Sequence, residues 1–176
     1  MKIQSFNVSV PAPCMNRCKF CVSSTRKNEI NNIPIEGNKN LENGLFTKSS
    51  IYSYIHSGSI DWNKEISYYR DKFSYGSDRC DTLLITSTGE PLMNKKFLEF
   101  IGAINYYSER PFQNIEIQTS GLLLDSEYLD FLMEKVEVKT ISLSLSALDN
   151  ENNYRYNNPV DEKFKLNIDE TCKLIK

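Results

Sequence analysis

The sequence predicts an α/β fold, a partial parallel (β/α) barrel of about four βα units. Short strand patterns alternate with amphipathic helix patterns, which is typical of parallel sheets. Most strand patterns carry one aliphatic and one polar face, whereas a parallel sheet covered on both sides is apolar throughout. A curved sheet with helices outside and a polar ligand inside accounts for both observations. Its site is then expected at the carboxyl ends of the strands.

The predicted strands are short alternating or apolar segments bounded by turn residues: residues 3–10, 83–85, 115–118 and 140–146. In the first of them Phe6, Val8 and Val10 share one face, and polar side chains occupy the other. Pro11 and Pro13 end this strand because proline has no backbone N–H to donate.

The predicted helices follow a period of 3.6 residues and most begin at a capping side chain. The first covers residues 61–74, with Gly76 just past its end. The next two begin at the caps Asn94 and Asp125, and the last begins near residue 167. Their core positions are expected to be Trp62, Ile66, Tyr69, Phe73, Phe97, Leu98, Ile101, Ile104, Tyr128, Leu129, Leu132, Met133, Ile168, Cys172 and Ile175. Residues 24–48 are predicted to form an irregular polar excursion and residues 50–57 a short helix.

The amino-acid composition limits the kinds of protein that this chain can be. The 176 residues include 40% hydrophobic and 25% charged residues, as expected for one soluble domain. The net charge of −2 argues against a general nucleic-acid surface, and no apolar run approaches the roughly 20 residues that cross a bilayer. Five cysteines, three of them clustered, argue against a disulfide framework and favour a reducing cytoplasm.

The most informative segment follows the first strand, where Cys14, Cys18 and Cys21 stand at C-x3-C-x2-C spacing. Cysteines this close together hold iron–sulfur clusters or structural zinc. Structural zinc takes four ligands, whereas three leave one iron of a four-iron cluster open. The zinc alternative needs Cys80 or Cys172 as its fourth ligand; both otherwise fit small core positions. The one histidine, His56, excludes a histidine-rich metal site and is expected on a helix surface.

This segment resembles the cluster loop of the radical SAM superfamily, with Phe20 as the aromatic residue before the third cysteine. Gly89, Glu90 and Pro91, after the second strand, resemble the GEP motif of the same family. The resemblance implies a [4Fe-4S] cluster on the three cysteines and S-adenosylmethionine (SAM) on its open iron. It also implies an external one-electron donor of the flavodoxin or ferredoxin type, and a 5′-deoxyadenosyl radical that abstracts hydrogen from an unknown substrate. The radical chemistry belongs to the cofactor.

The resemblance also implies which residues contact SAM. The turn of Gly89, Glu90 and Pro91 would meet the amino group. Inward-facing positions after the third and fourth strands would meet the ribose and carboxylate: Gln118, Ser120, Ser144 and Ser146. Ser144 is the single residue we favour most. The alternatives are an ordinary strand-to-helix turn at Gly89 and serines that only face water.

Members of this family usually have six βα units, so residues 1–176 are expected to form the N-terminal part of such a barrel, as a fragment or as a compact protein. Within enzymes, the rival function is an activase that places a glycyl radical on a partner enzyme. Outside enzymes, the rivals are a non-catalytic cysteine–zinc binding module and a truncated, inactive product. The substrate cannot be named from these residues.

Overall fold

The computed structural model describes residues 5–10, 12–18, 20–21, 64–109 and 111–176. Within these ranges four parallel strands form one sheet in sequential order: β1 (Phe6–Val10), β2 (Thr82–Ser87), β3 (Asn114–Thr119) and β4 (Thr140–Leu143). The predicted α/β class, with a parallel sheet and alternating βα units, is therefore confirmed. Closure into a barrel of the radical SAM type stays a prediction.

The described helices are α1 (Lys64–Ser77), α2 (Lys95–Tyr106), α3 (Ser126–Phe131), α4 (Asn150–Asn157) and α5 (Ile168–Ile175). A 3-10 turn, Pro91–Met93, precedes α2, and a π-helical turn, Leu132–Val136, continues α3. The two predicted caps are confirmed. Asn94 Oδ1 accepts the Phe97 N–H at 3.1 Å, and Asp125 Oδ1 accepts the Tyr128 N–H at 2.7 Å.

Helices α1 and α2 and the π-helical turn Leu132–Val136 cover one face of the sheet. The buried strand side chains pack with those of α1 and α2 in a single apolar cluster, which includes Val8, Val10, Leu83, Ile85, Ile115, Ile117, Ile66, Phe73, Phe97, Leu98, Phe100 and Ile101. The alternate side chains stand on the opposite face, where the Thr86 hydroxyl donates to Asn7 Oδ1 at 2.8 Å. On the same face the Ser142 hydroxyl donates to Glu116 Oε1 at 2.5 Å. The predicted division into an aliphatic and a polar face is confirmed.

Several local predictions were wrong. Gly76 lies inside α1 and not past its end; glycine is needed there because the rings of Phe6 and Phe112 occupy the space where a side chain would stand. Met133 is exposed, since the π-helical turn places Leu132 and Val136 in the core instead. β4 stops at Leu143, three residues before its predicted end.

Helix α4 was not predicted, because its sequence has no apolar stripe. Some predictions fall on segments outside the described residues: the excursion 24–48, the helix 50–57, and the placements of His56, Asp61 and Trp62.

Candidate functional site at the carboxyl edge of the sheet

The loop that carries Cys14, Cys18 and Cys21 (the cysteine loop) directly contacts the turn of Gly89, Glu90 and Pro91 (the Gly89 turn). The Glu90 N–H donates to the Pro13 carbonyl at 2.8 Å, one residue before Cys14. A Cβ on Gly89 would collide with the backbone carbonyls of Ala12 and Pro13. Glycine is therefore required here because it lets two backbones approach closely. The two segments that carry the family resemblance thus lie side by side at the carboxyl edge of the sheet.

The Glu90 carboxylate is buried, with 2% of the residue exposed, and points into the protein. Its Oε1 accepts the Thr119 hydroxyl at 2.6 Å and the Leu92 N–H at 3.2 Å. Its Oε2 accepts the Ser120 N–H at 2.9 Å and the Ser120 hydroxyl at 2.5 Å. Glu90 therefore ties the turn after β2 to the end of β3. Its contact with SAM stays a prediction; the contacts observed are internal.

Burial also shapes the electrostatics around Glu90. The Tyr128 hydroxyl donates to the Leu92 carbonyl, and the pKa of Tyr128 is raised, first because burial desolvates the phenol and then because of the negative charge of Glu90. Thr119, the other partner of Glu90, was missed by sequence reasoning because its parity places it with the aliphatic row of β3. A buried threonine at a strand end is the signal that could have revealed it.

The far side of the cysteine loop is held by α4 and the residues after it. The Arg17 N–H donates to the carbonyls of Asn157 and Asn158 at 3.0 and 3.1 Å, and the Val160 N–H donates to the Met15 carbonyl at 2.8 Å. Asn158 adopts a left-handed conformation, φ 45°, which turns the chain back toward the loop. The loop that follows β1 therefore reaches the segment that follows β4.

The predicted SAM contacts do not all face the same surroundings. The Ser146 hydroxyl donates to Asn157 Oδ1 at 2.5 Å, and the Ser146 N–H donates to Asn153 Oδ1 at 2.8 Å. Ser120 is bound to Glu90.

Two other predicted SAM contacts, Gln118 and Ser144, have exposed side chains. The backbone N–H of Ser144 donates to the Thr119 carbonyl at 2.8 Å. Pro91 is buried at the start of the 3-10 turn.

None of the five cysteines, all of them among the described residues, forms a disulfide. Cys14 is exposed, Cys18 and Cys21 are partly buried, and Phe20 is 61% exposed. Although Cys14 as a residue is exposed, the protein atoms around its sulfur partly desolvate the thiol and so raise its pKa. The hydrogen bond from the Asn16 N–H lowers this pKa, and the negative charges of Glu90, Cys18 and Cys21 raise it further. The Cys18 thiol donates to Asn157 Oδ1 and to the Asn157 carbonyl, both at 3.6 Å.

The three cysteines are suitable ligands for an iron–sulfur cluster, but their sulfur atoms are not yet arranged around a common metal position. Three cysteines on one loop, none of them in a disulfide, are the ligand type that such clusters use. Across the part of the chain that the structure describes, however, no three His, Cys, Asp or Glu side chains stand together as a metal-binding group. To bind a metal, the Cys18 sulfur would have to give up its hydrogen bond to Asn157. Within those same ranges, Asn16 Oδ1 is buried without a hydrogen-bond partner, so the loop holds one unused acceptor.

Cys80 is poorly placed to complete a zinc site. It is buried just before β2, where its thiol donates to the Gly76 carbonyl at 3.4 Å. The cysteine loop lies at the opposite end of the sheet, beyond the six residues of β2, a length of about 20 Å. Cys172 is partly buried on α5, so of the two fourth ligands considered only Cys172 remains for the zinc alternative.

Comparisons of the chain with protein-family models, with curated proteins and with solved structures found no match. Among the described residues, no helix combines the length and the apolar character needed to span a membrane.

Proposed function

We propose that this protein is a radical SAM enzyme in which Cys14, Cys18 and Cys21 hold a [4Fe-4S] cluster and the carboxyl edge of the sheet binds SAM. When bound, these cofactors would supply a 5′-deoxyadenosyl radical for hydrogen abstraction, with an external flavodoxin- or ferredoxin-type protein as electron donor. The observation that carries the proposal is the hydrogen bond from the Glu90 N–H to the Pro13 carbonyl. It joins the cysteine loop to the only other motif on which the resemblance depends.

The residues of the chain would divide the work. The three thiols supply metal ligands, and Gly89 allows the loop and the turn to touch. Glu90 holds the ends of β2 and β3 together through Thr119 and Ser120. Among the described residues, Ser144 and Gln118 are exposed polar side chains at this edge that would help to orient a polar ligand.

The proposal also concerns the surroundings of the protein. Cysteines that serve as cluster ligands must stay out of disulfides, which requires a reducing compartment, and a cytoplasmic location fits that need. The substrate would approach from the polar face of the sheet, where Asn7 and Gln118 are exposed. The hydrogen-abstraction substrate itself is left unspecified.

The test is anaerobic reconstitution of the full chain with ferrous iron and sulfide, followed by iron, sulfide and zinc analysis. We expect about four irons and four sulfides per chain and a broad brown absorption. Addition of SAM and dithionite should then release 5′-deoxyadenosine. A chain that takes up one zinc and no iron would overturn the proposal and favour the zinc-binding alternative.

A further inference from the structure

Helix α4 buries two asparagines where an amphipathic helix would bury apolar side chains. Asn153 is 1% exposed and Asn157 is 7% exposed. A buried amide is costly unless it is hydrogen-bonded. Both amides meet this requirement through groups at the end of β4 and in the cysteine loop, so their burial is tied to this corner of the molecule.

The contacts form a connected chain. Asn153 Oδ1 accepts the Ser146 N–H at 2.8 Å and the Asn157 side-chain N–H at 3.3 Å. Asn157 Oδ1 accepts the Ser146 hydroxyl at 2.5 Å and the Cys18 thiol at 3.6 Å. Asn153 therefore orients Asn157, and Asn157 presents one oxygen to Cys18.

The position of these contacts matters because the cysteine loop begins after β1, at the edge of the sheet opposite to β4. β1 and β4 are the outermost described strands, separated by β2 and β3. With about 4.8 Å between neighbouring strands, the loop has to cross about 14 Å of strand ends. At the far end, Arg17 and Cys18 bind the backbone and the side chain of Asn157.

We propose that Asn153 and Asn157 are positioning residues that seat the cysteine loop across the strand ends and set the orientation of Cys18. The seating follows from the contacts alone; its purpose, holding Cys18 in place until a metal replaces Asn157 at its sulfur, rests on the proposed function. The inference also assigns a different role to Ser146. Its hydroxyl holds Asn157, whereas the sequence had predicted that it contacts SAM.

The seating is tested in the metal-free chain by two measurements. The first is the alkylation rate of Cys18 by iodoacetamide, mapped by mass spectrometry against Cys172 on α5. The second is hydrogen exchange at the Arg17 amide. Asn157→Ala removes the side-chain acceptor of the Cys18 thiol and should speed its alkylation by roughly 2- to 12-fold, the effect of one lost hydrogen bond. The Arg17 N–H binds backbone carbonyls, which the substitution keeps, so its exchange should rise because the end of α4 is held less firmly. Asn157→Asp keeps an acceptor oxygen for the Cys18 thiol but adds a negative charge that disfavours the thiolate, so Cys18 should be alkylated more slowly in Asn157→Asp than in Asn157→Ala.

The matched control is Asn152→Ala, an exposed asparagine of the same helix whose side chain contacts Asp149. It should leave Cys18 and Arg17 unchanged. Ser146→Ala removes one hydroxyl outside the helix and replaces Asn157→Ala in the test if that variant does not fold. It should also raise the rate of Cys18 alkylation. The inference would be overturned if Cys18 alkylation and Arg17 exchange were as slow in Asn157→Ala as in Asn152→Ala. If Ser146→Ala replaces Asn157→Ala, the same comparison applies to its rate of Cys18 alkylation.

A second readout separates this inference from the proposed function. After reconstitution, Asn157→Ala should hold less iron per chain than wild type and Asn152→Ala, with an altered electron paramagnetic resonance signal after reduction. If the wild-type chain binds no iron, the proposed function fails, while faster alkylation in Asn157→Ala still supports the seating. If iron content and signal are the same in all variants, the claim that Asn157 holds Cys18 in place for the metal is wrong.

Discussion

The backbone N–H of Glu90 lies 2.8 Å from the carbonyl oxygen of Pro13 and donates to it. This bond joins the turn after β2 to the segment after β1, while the carboxylate of the same residue reaches the end of β3. One residue thus connects three of the four strand ends. The remaining end, that of β4, is connected to the cysteine loop through Asn157. The loop is held on both sides by groups that are distant in sequence.

Replacing any one of the three loop cysteines should abolish cluster assembly. Cys14→Ala, Cys18→Ala and Cys21→Ala each remove a ligand from a set of three, so the brown absorption of the reconstituted chain should disappear. Cys80→Ala and Cys172→Ala are the controls, because Cys80 lies at the other end of β2 and Cys172 on α5. Full absorption in a loop-cysteine variant, or its loss in Cys80→Ala, would contradict the assignment.

Gly89→Ala should displace the cysteine loop, since the added methyl group meets backbone carbonyls that cannot rotate away. Overpacking of this kind costs about 1–3 kcal/mol in the free energy of unfolding, measurable by urea denaturation. Thr88→Ala, at the neighbouring and partly exposed position, is the control and should change the free energy of unfolding by less than about 1 kcal/mol. Equal stability of the two variants would show that the close approach is not important.

Glu90→Ala should destabilise the fold because it leaves the buried hydroxyl of Thr119 and the partly buried donors of Ser120 without their acceptor. We expect a loss of about 2–4 kcal/mol in urea denaturation. Glu116→Ala is the matched control: this carboxylate accepts from one hydroxyl, that of Ser142, on the polar face, and should cost less than about 1 kcal/mol. If Glu90→Ala unfolds like wild type but binds SAM weakly, Glu90 acts as a ligand contact instead.

Ser144→Ala should weaken SAM binding to the reconstituted chain and leave the urea midpoint unchanged, since Ser144 is exposed. Loss of one hydrogen bond to a charged group lowers affinity by roughly 10- to 150-fold, which equilibrium dialysis would resolve. Ser142→Ala, whose hydroxyl is bound to Glu116, is the control and should keep wild-type affinity. Equal affinities for SAM would remove Ser144 from the site.

The outer side of β4 should promote self-association. Among the described strands β4 pairs only with β3, and an unpaired, uncharged edge is a template for another chain. Light scattering should therefore show a mass above that of a monomer, and Thr140→Lys should lower it. Gln113→Lys adds the same charge before an inner strand and should have no effect. A monodisperse monomer in the wild-type chain would disprove this prediction.

Local patterns predicted the parts of the fold that local physics controls. The alternation in β1 and the caps Asn94 and Asp125 depend on neighbouring residues, and the structure confirms them. Helix α4 was missed because its stability comes from caps and from buried amides, which leave no periodic apolar signal. Met133 was misplaced because a π-helical turn changes which side chains face the core.

The candidate site divides in the same way. By itself the sequence determined the spacing of the three cysteines, the order of the βα units and the turn that follows β2, because each is a matter of neighbouring residues. Only the tertiary structure decided that Gly89 touches Pro13, that Glu90 faces Thr119 and that Asn157 holds Cys18. Those contacts join residues far apart in the chain. They exist because the carboxyl ends of parallel strands meet at one edge of the sheet.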